Sequence, residues 1–121
     1  MKSLLIAGIL AVGLVAATSV YAGNAPVAAG GVRVFVHHEV ADYAAWRKAY
    51  NSFGATQRKM GVIAQAVYQS VDNPNDVVVT HDFASAEQAK AFLASDDLKT
   101  AMQKAGVKGS PQIWITTRAK K

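Results

Sequence analysis

The sequence has no cysteine among its 121 residues. That excludes a disulfide framework, a lipid-linked cysteine anchor and a cysteine nucleophile. The fold must therefore be held by its core alone. There is no Gly-rich phosphate loop, no Ser nucleophile elbow and no EF-hand pattern, so hydrolase and nucleotide-dependent readings have no positive support. Acidic residues are also few: 8 Asp and Glu stand against 13 Lys and Arg, for a formal net charge of +5. The basic residues Arg47, Lys48, Arg58, Lys59, Lys90, Lys99 and Lys104 are scattered, as on solvated helix faces. A nucleic-acid surface would need a basic stripe with interleaved aromatics, so no nucleic-acid partner is expected.

What is present begins with an apolar leader. Lys2 is a short positive region, Leu4 to Ala17 is uncharged and apolar, and Val20-Tyr21-Ala22 offers small residues at the −3 and −1 positions of a cleavage site. This is the pattern of a secretory signal peptide over residues 1–22, cleaved after Ala22. It implies a periplasmic or secreted bacterial protein with no stable membrane span after cleavage. An uncleaved anchor is the other reading, since Leu4 to Ala22 approaches the ~20 residues that span a bilayer. Thr18, Ser19 and the lack of a basic stop-transfer cluster argue against it. Residues 23–31, GNAPVAAGG, read as a flexible linker. Residues 32–118 form the domain, and 119–121 a basic tail.

The domain is organised around Val34 to Phe53. Val32 to Val40 alternates with period two, as a strand with one face in the core. Asp42 is a good helix N-cap. Tyr43, Trp46, Ala49, Tyr50 and Phe53 then share one helical face, and the helix is expected to run to about Lys59 and stop at Gly61. Arg47, Lys48, Gln57 and Arg58 fall mostly off that face. The strand-to-helix junction recurs 43 residues later: Val36 to Asp42 matches Val79 to Ser85. Val62 to Val71 and Val77 to Phe83 read as a hairpin around Asp72-Asn73-Pro74-Asn75-Asp76. Ser85 begins a second helix with a capping-box pattern to Gln88, and Ser95 or Asp96 caps a further helical stretch. Gly109-Ser110-Pro111 should break the chain before a last strand, Gln112 to Arg118.

The order β-α-β-β-α-β with an internal repeat predicts an α+β, ferredoxin-like fold: a four-stranded antiparallel sheet with helices on one face. The first and third strands should lie side by side in its centre. His38 and His81, equivalent in the two halves, should face the helices about two residues apart along the strands, a diagonal of ~7–8 Å. The opposite face carries Phe35, His37, Val78 and Thr80, with Glu39 and Asp82 as surface or interface charges. It is too apolar for water and too polar for a core, which predicts a homodimer.

A strand ending in His-x-Val followed by Asp-Tyr-x-x-Trp resembles the dimeric α+β barrel superfamily. So do Val77 to Phe92 and Ala105-Gly106-Val107-x-Gly109-x-Pro111. This group includes proteins resembling antibiotic biosynthesis monooxygenases and their haem-degrading relatives. The resemblance covers Val32 to Arg118. It implies pairing into a dimeric α+β barrel and a cavity between sheet and helices for a flat apolar or aromatic ligand. In some members that ligand is oxygenated without a cofactor. The matching residue types here are His38, Trp46, Tyr50, His81 and Asn51.

On that basis His38 and His81 are the catalytic candidates, because imidazoles titrate near neutrality and can move protons. Each also reads as a core histidine bonded to a neighbour. Trp46, Tyr50 and Asn51 are the ligand-binding candidates. The two aromatics would wall a flat ring, or simply pack the core. Trp114 suits dimer packing as well as ligand contact. A zinc site of His37, His38 and His81 is not expected, since adjacent strand residues point to opposite faces. Three functions follow: a monooxygenase-like enzyme with no metal or other cofactor, a non-catalytic ligand-binding or stress-related module, and a haem-binding protein.

Overall fold

The computed structural model describes residues 25–121. The leader and its cleavage site lie outside the described residues. The elements are β1 (Val32–Val40), α1 (Tyr43–Ser52), α2 (Gly54–Lys59), β2 (Ala64–Gln69), β3 (Asp76–Phe83), α3 (Ala86–Leu93), α4 (Asp96–Lys104) and β4 (Val107–Thr116). The sheet order is β2-β3-β1-β4 and all pairs are antiparallel. This is the expected ferredoxin-like sheet, with helices packed on one face.

The repeat is visible in the caps. Asp42 accepts a hydrogen bond from the Ala45 amide at 2.9 Å, and Ser85, its counterpart, accepts from the Gln88 amide at 3.3 Å. Each bond satisfies an amide that the first helical turn leaves free. Ser95 does the same for α4, accepting from Leu98 N at 3.2 Å. On the helix-packed face Val32, Val34, Val36 and Val40 of β1 and Val77, Val79 and Phe83 of β3 meet Trp46, Ala89, Phe92 and Leu98 in one buried cluster.

Three expectations need correction. The first helix is two helices, broken at Phe53 just before Gly54. The last strand does not stop at Gly109-Ser110-Pro111; it runs through it. His37 pairs with Gln112 but Glu39 pairs with Lys108, so three residues of β4 bulge opposite His38. Gly109 sits there at φ +67°, open to glycine at little cost, and a bulge also tolerates a proline without its amide. Third, the register pairs Val36 with Val79, His38 with Val77 and His81 with Val34. The two histidines share the inner face as expected, but they lie four residues apart along the strands. That is roughly 13 Å at ~3.3 Å per residue, not a close diagonal.

Residues 25–31 are irregular, yet they are tied to the sheet. Arg33 Nη2 donates to the Ala25 carbonyl, Gly31 N donates to Ala28 O at 2.9 Å, and Thr117 Oγ1 donates to Gly31 O at 3.2 Å. Gly31 is buried so tightly that a Cβ would come within 2.9 Å of the Val27 side chain.

Candidate functional site

The two inner histidines do not touch; aromatic side chains of α1 bridge them. His38 meets Trp46 edge-on at 5.6 Å between ring centroids, Trp46 stacks on Tyr50 at 4.8 Å, and Tyr50 lies over His81 at 6.0 Å. His81 continues to Phe92 at 5.5 Å and Phe92 to Phe83 at 5.4 Å. Trp46 and Tyr50, one helical turn apart, span the gap that the strand register leaves between the histidines.

Polar partners divide the pair. The Tyr50 hydroxyl donates to Gln65 Oε1, and its oxygen lies 2.9 Å from His81 Nε2. Gln57 Nε2, which can only donate, also faces His81 Nε2, and the other ring nitrogen, Nδ1, has no partner. The Gln57 amide nitrogen stands 3.5 Å from His81 Nε2, while its Oε1 has no partner. At His38 neither ring nitrogen has a partner, although the side chain is buried. Buried polar atoms left alone are uncommon and costly.

Burial sets the protonation states. It holds both His38 and His81 down to about 4, because a charged imidazole loses its hydration there. For His38 the neighbouring His37 adds to the effect and Asp76 opposes it. Burial pushes the Tyr50 phenol up to about 12, opposed by the Gln57 amide and the Arg47 charge. The inner face is therefore electrically neutral at pH 7.

His38, Trp46, Tyr50 and Gln57 line a cavity of about 40 Å³, bounded on the other side by Leu98, Ala101, Met102 and Ala105. That exceeds the ~10–15 Å³ that one water needs and falls far below the ~300–1,000 Å³ of small-molecule pockets. A ring enters only if a wall moves. A haem, larger still, would need a correspondingly larger displacement. His81 does not line the cavity; it stands behind Tyr50 and Gln57. Asn51 is exposed and lies outside the cavity, because one residue past Tyr50 turns its side chain about 100° around the helix towards water.

Gln57 is the residue that the sequence reading placed wrongly. It is 1% exposed, on the apolar stripe rather than off it. Its spacing was the signal, four residues past Phe53 and seven past Tyr50, and its polarity concealed it. Gln65 had no signal in the sequence; only the β2–β3 register, which pairs it with His81, brings it inward.

The outer face differs. Arg33 grips Asp82 with two bonds, at 2.7 and 2.8 Å, so Asp82 is a buried ion-pair partner and not a surface charge. His37 is held between Gln112 Oε1 at 2.9 Å and Asp76 Oδ1 at 2.5 Å. Two acceptors favour the doubly protonated ring, and these bonds raise the His37 pKa. Trp114 is 51% exposed beside Phe35, and Tyr68 is 49% exposed. Among the described residues no three of His, Asp and Glu gather as a metal site, and no helix is long and apolar enough to cross a membrane.

Fold and site together define a small ferredoxin-like α+β domain with a neutral, histidine-lined cavity under its helices. Residues 32–104 match the family model described as antibiotic biosynthesis monooxygenase. The chain belongs to that family. Solved structures share the fold at low identity. SnoaB from Streptomyces nogalater, described as a cofactor-independent oxygenase, aligns with a TM-score of 0.64 at 12% identity over 76% of this chain and 96% of its own. A putative antibiotic biosynthesis monooxygenase from Caulobacter crescentus CB15 aligns at 0.62 and 20% identity, over 75% and 92% of the two chains. One from Nitrosomonas europaea aligns at 0.62 and 15%, over 74% and 90%. The search of curated proteins finds no match.

Proposed function

We propose that this protein is an exported, homodimeric oxygenase of the cofactor-independent type, acting on a flat aromatic ligand bound between sheet and helices. The observation that carries this reading is His38: a buried imidazole with both nitrogens free, on the wall of a cavity that Trp46 and Tyr50 complete. Neutral at pH 7, His38 can take a proton from a ring hydroxyl. Burial makes it a weak base, but a phenolate left beside the new imidazolium would offset that cost. The electron-rich anion is then the species that meets oxygen. Trp46 and Tyr50 hold the ring. His81 acts through Tyr50, fixing the direction of its hydroxyl.

Export to the periplasm or medium rests on the leader features of residues 1–22. Dimerisation rests on the outer face, where Trp114, Tyr68, Phe35 and Val78 form an apolar band around paired charges. Light scattering at micromolar concentration should return twice the monomer mass.

The test of function is oxygen consumption with a panel of quinols and polyphenols, in parallel with binding. We expect uptake that His38→Ala abolishes and Tyr50→Phe reduces. Binding without any uptake, in the wild-type chain, would leave a non-catalytic binding module.

A further inference from the structure

The cavity is too small for a ring, so one wall has to yield, and the walls are not equally held. The sheet is continuous. In α1, Trp46 is 2% exposed and Tyr50 is hydrogen-bonded to β2 and β3. Helix α3 is set into the core by Ala89 and Phe92. Helix α4 buries Leu98 alone, and among the described residues none of its side chains hydrogen-bonds or ion-pairs with another element.

Clefts flank α4 on both sides. The one against β4, about 350 Å³, shares Leu98 and Met102 with the cavity. Leu98 is the helix's one buried anchor, so this flank is pinned. The one between α1 and α4, about 330 Å³, shares Ala49, Phe53 and Ala101. Two of those three residues contribute only a methyl group, so here the partition between cavity and solvent is thin. The cleft's rim is polar, with Ser52, Thr56, Asp97, Thr100 and Lys104.

We propose that the α1–α4 cleft is the mouth of the buried cavity, gated by Ala49, Phe53 and Ala101. Opening it joins cavity and cleft into one site. That site takes a ligand with a planar apolar ring inside and a substituent at the rim that both donates and accepts hydrogen bonds. The inference rests on the cavity being the ligand site, but its test needs no ligand.

Trp46 lies in the cavity wall, and Trp114, the other tryptophan, is removed by Trp114→Phe. Acrylamide quenching of the remaining fluorescence then reports entry to the cavity. In this background Ala101→Leu should lower the bimolecular quenching constant at least about threefold, and Ala101→Gly should raise it. Gln103→Gly loosens the same helix at an exposed position away from the cleft, and Ala94→Leu crowds the opposite cleft; both should leave quenching near the parent value. Quenching insensitive to both Ala101 variants would overturn the mouth, as would an equal rise in Gln103→Gly. If Ala101→Leu does not fold, Ala101→Gly against Gln103→Gly decides alone. Failure of the oxygen-uptake assay would leave these quenching results unaffected, so the two readings fail separately.

Discussion

His37 and His38 are neighbours in the chain and occupy opposite faces of one strand. His37, on the outer face, is held by a carboxylate and an amide oxygen and leans towards the charged form. His38, on the inner face, has no polar partner and stays neutral down to about pH 4. The whole sheet repeats the contrast. Its outer face carries charges in pairs, Arg33 with Asp82 and His37 with Asp76. Its inner face carries two neutral histidines, His38 with neither ring nitrogen bonded and His81 with Nδ1 unbonded. Outer charges are paired within the protein, although the buried Thr80 hydroxyl has no partner; inner polarity at the histidines is left open, and an open hydrogen-bonding group beside a cavity is where a ligand gains binding energy.

The contrast between faces should appear first in the tryptophans. Trp46→Ala should cost about 3–5 kcal/mol in urea unfolding, as for large buried aromatics. Trp114→Ala, at a half-exposed side chain, should cost less than about 1 kcal/mol in the same measurement. Equal costs would erase the distinction between a packed face and an exposed one.

Acid should separate the faces next. The inner histidines have folded pKa values near 4, below the unfolded 6.5. In that window the unfolded chain binds more protons, so their contribution is intact above pH 6.5 and lost as pH falls towards 4. Each contributes up to about 3 kcal/mol, His38 somewhat less because it lies nearer solvent. His37 has the opposite sign: its raised pKa gives stability below 6.5 that is lost as pH rises through its folded value. His38→Leu should flatten the acid limb strongly, and His37→Gln only slightly, by removing the smaller part that the His37 charge adds to the His38 shift. Denaturation midpoints between pH 4 and 8 would show whether the roles are reversed.

Hydrogen-bond deletions should follow the same order with smaller values. Tyr50→Phe strands Gln65 and His81 in the interior and should cost about 1–3 kcal/mol. Asp76→Asn, at a half-exposed pair, should cost less than about 1 kcal/mol. The smallest effect compares the two halves of the repeat: Asp42→Ala and Ser85→Ala should each cost about 1 kcal/mol, the usual worth of an N-cap.

Most of the fold was legible because each signal was local. Alternating valines marked the strands, Asp42 and Ser85 marked the helix starts, and the 43-residue repeat implied the topology. The shared inner face of His38 and His81 followed from strand alternation. Their separation did not, because antiparallel register is decided between strands, and pseudo-symmetry about Val36 and Val79 places equivalent residues on opposite sides of the centre. The strand through Gly109 and Pro111 was misread for a related reason: turn-forming residues absorbed in a bulge look identical to a loop. Gln57 and Gln65 were missed because a buried glutamine is recognised only through the partners that folding brings to it.

The most direct measurement is an NMR titration of the three histidine rings in the full chain. His38 and His81 should keep neutral-imidazole shifts through the ordinary histidine range and change only near pH 4, while His37 titrates above 6.5. If the inner pair instead titrates near 6.5, burial does not hold the inner face neutral, and a neutral cavity beneath the helices is contradicted.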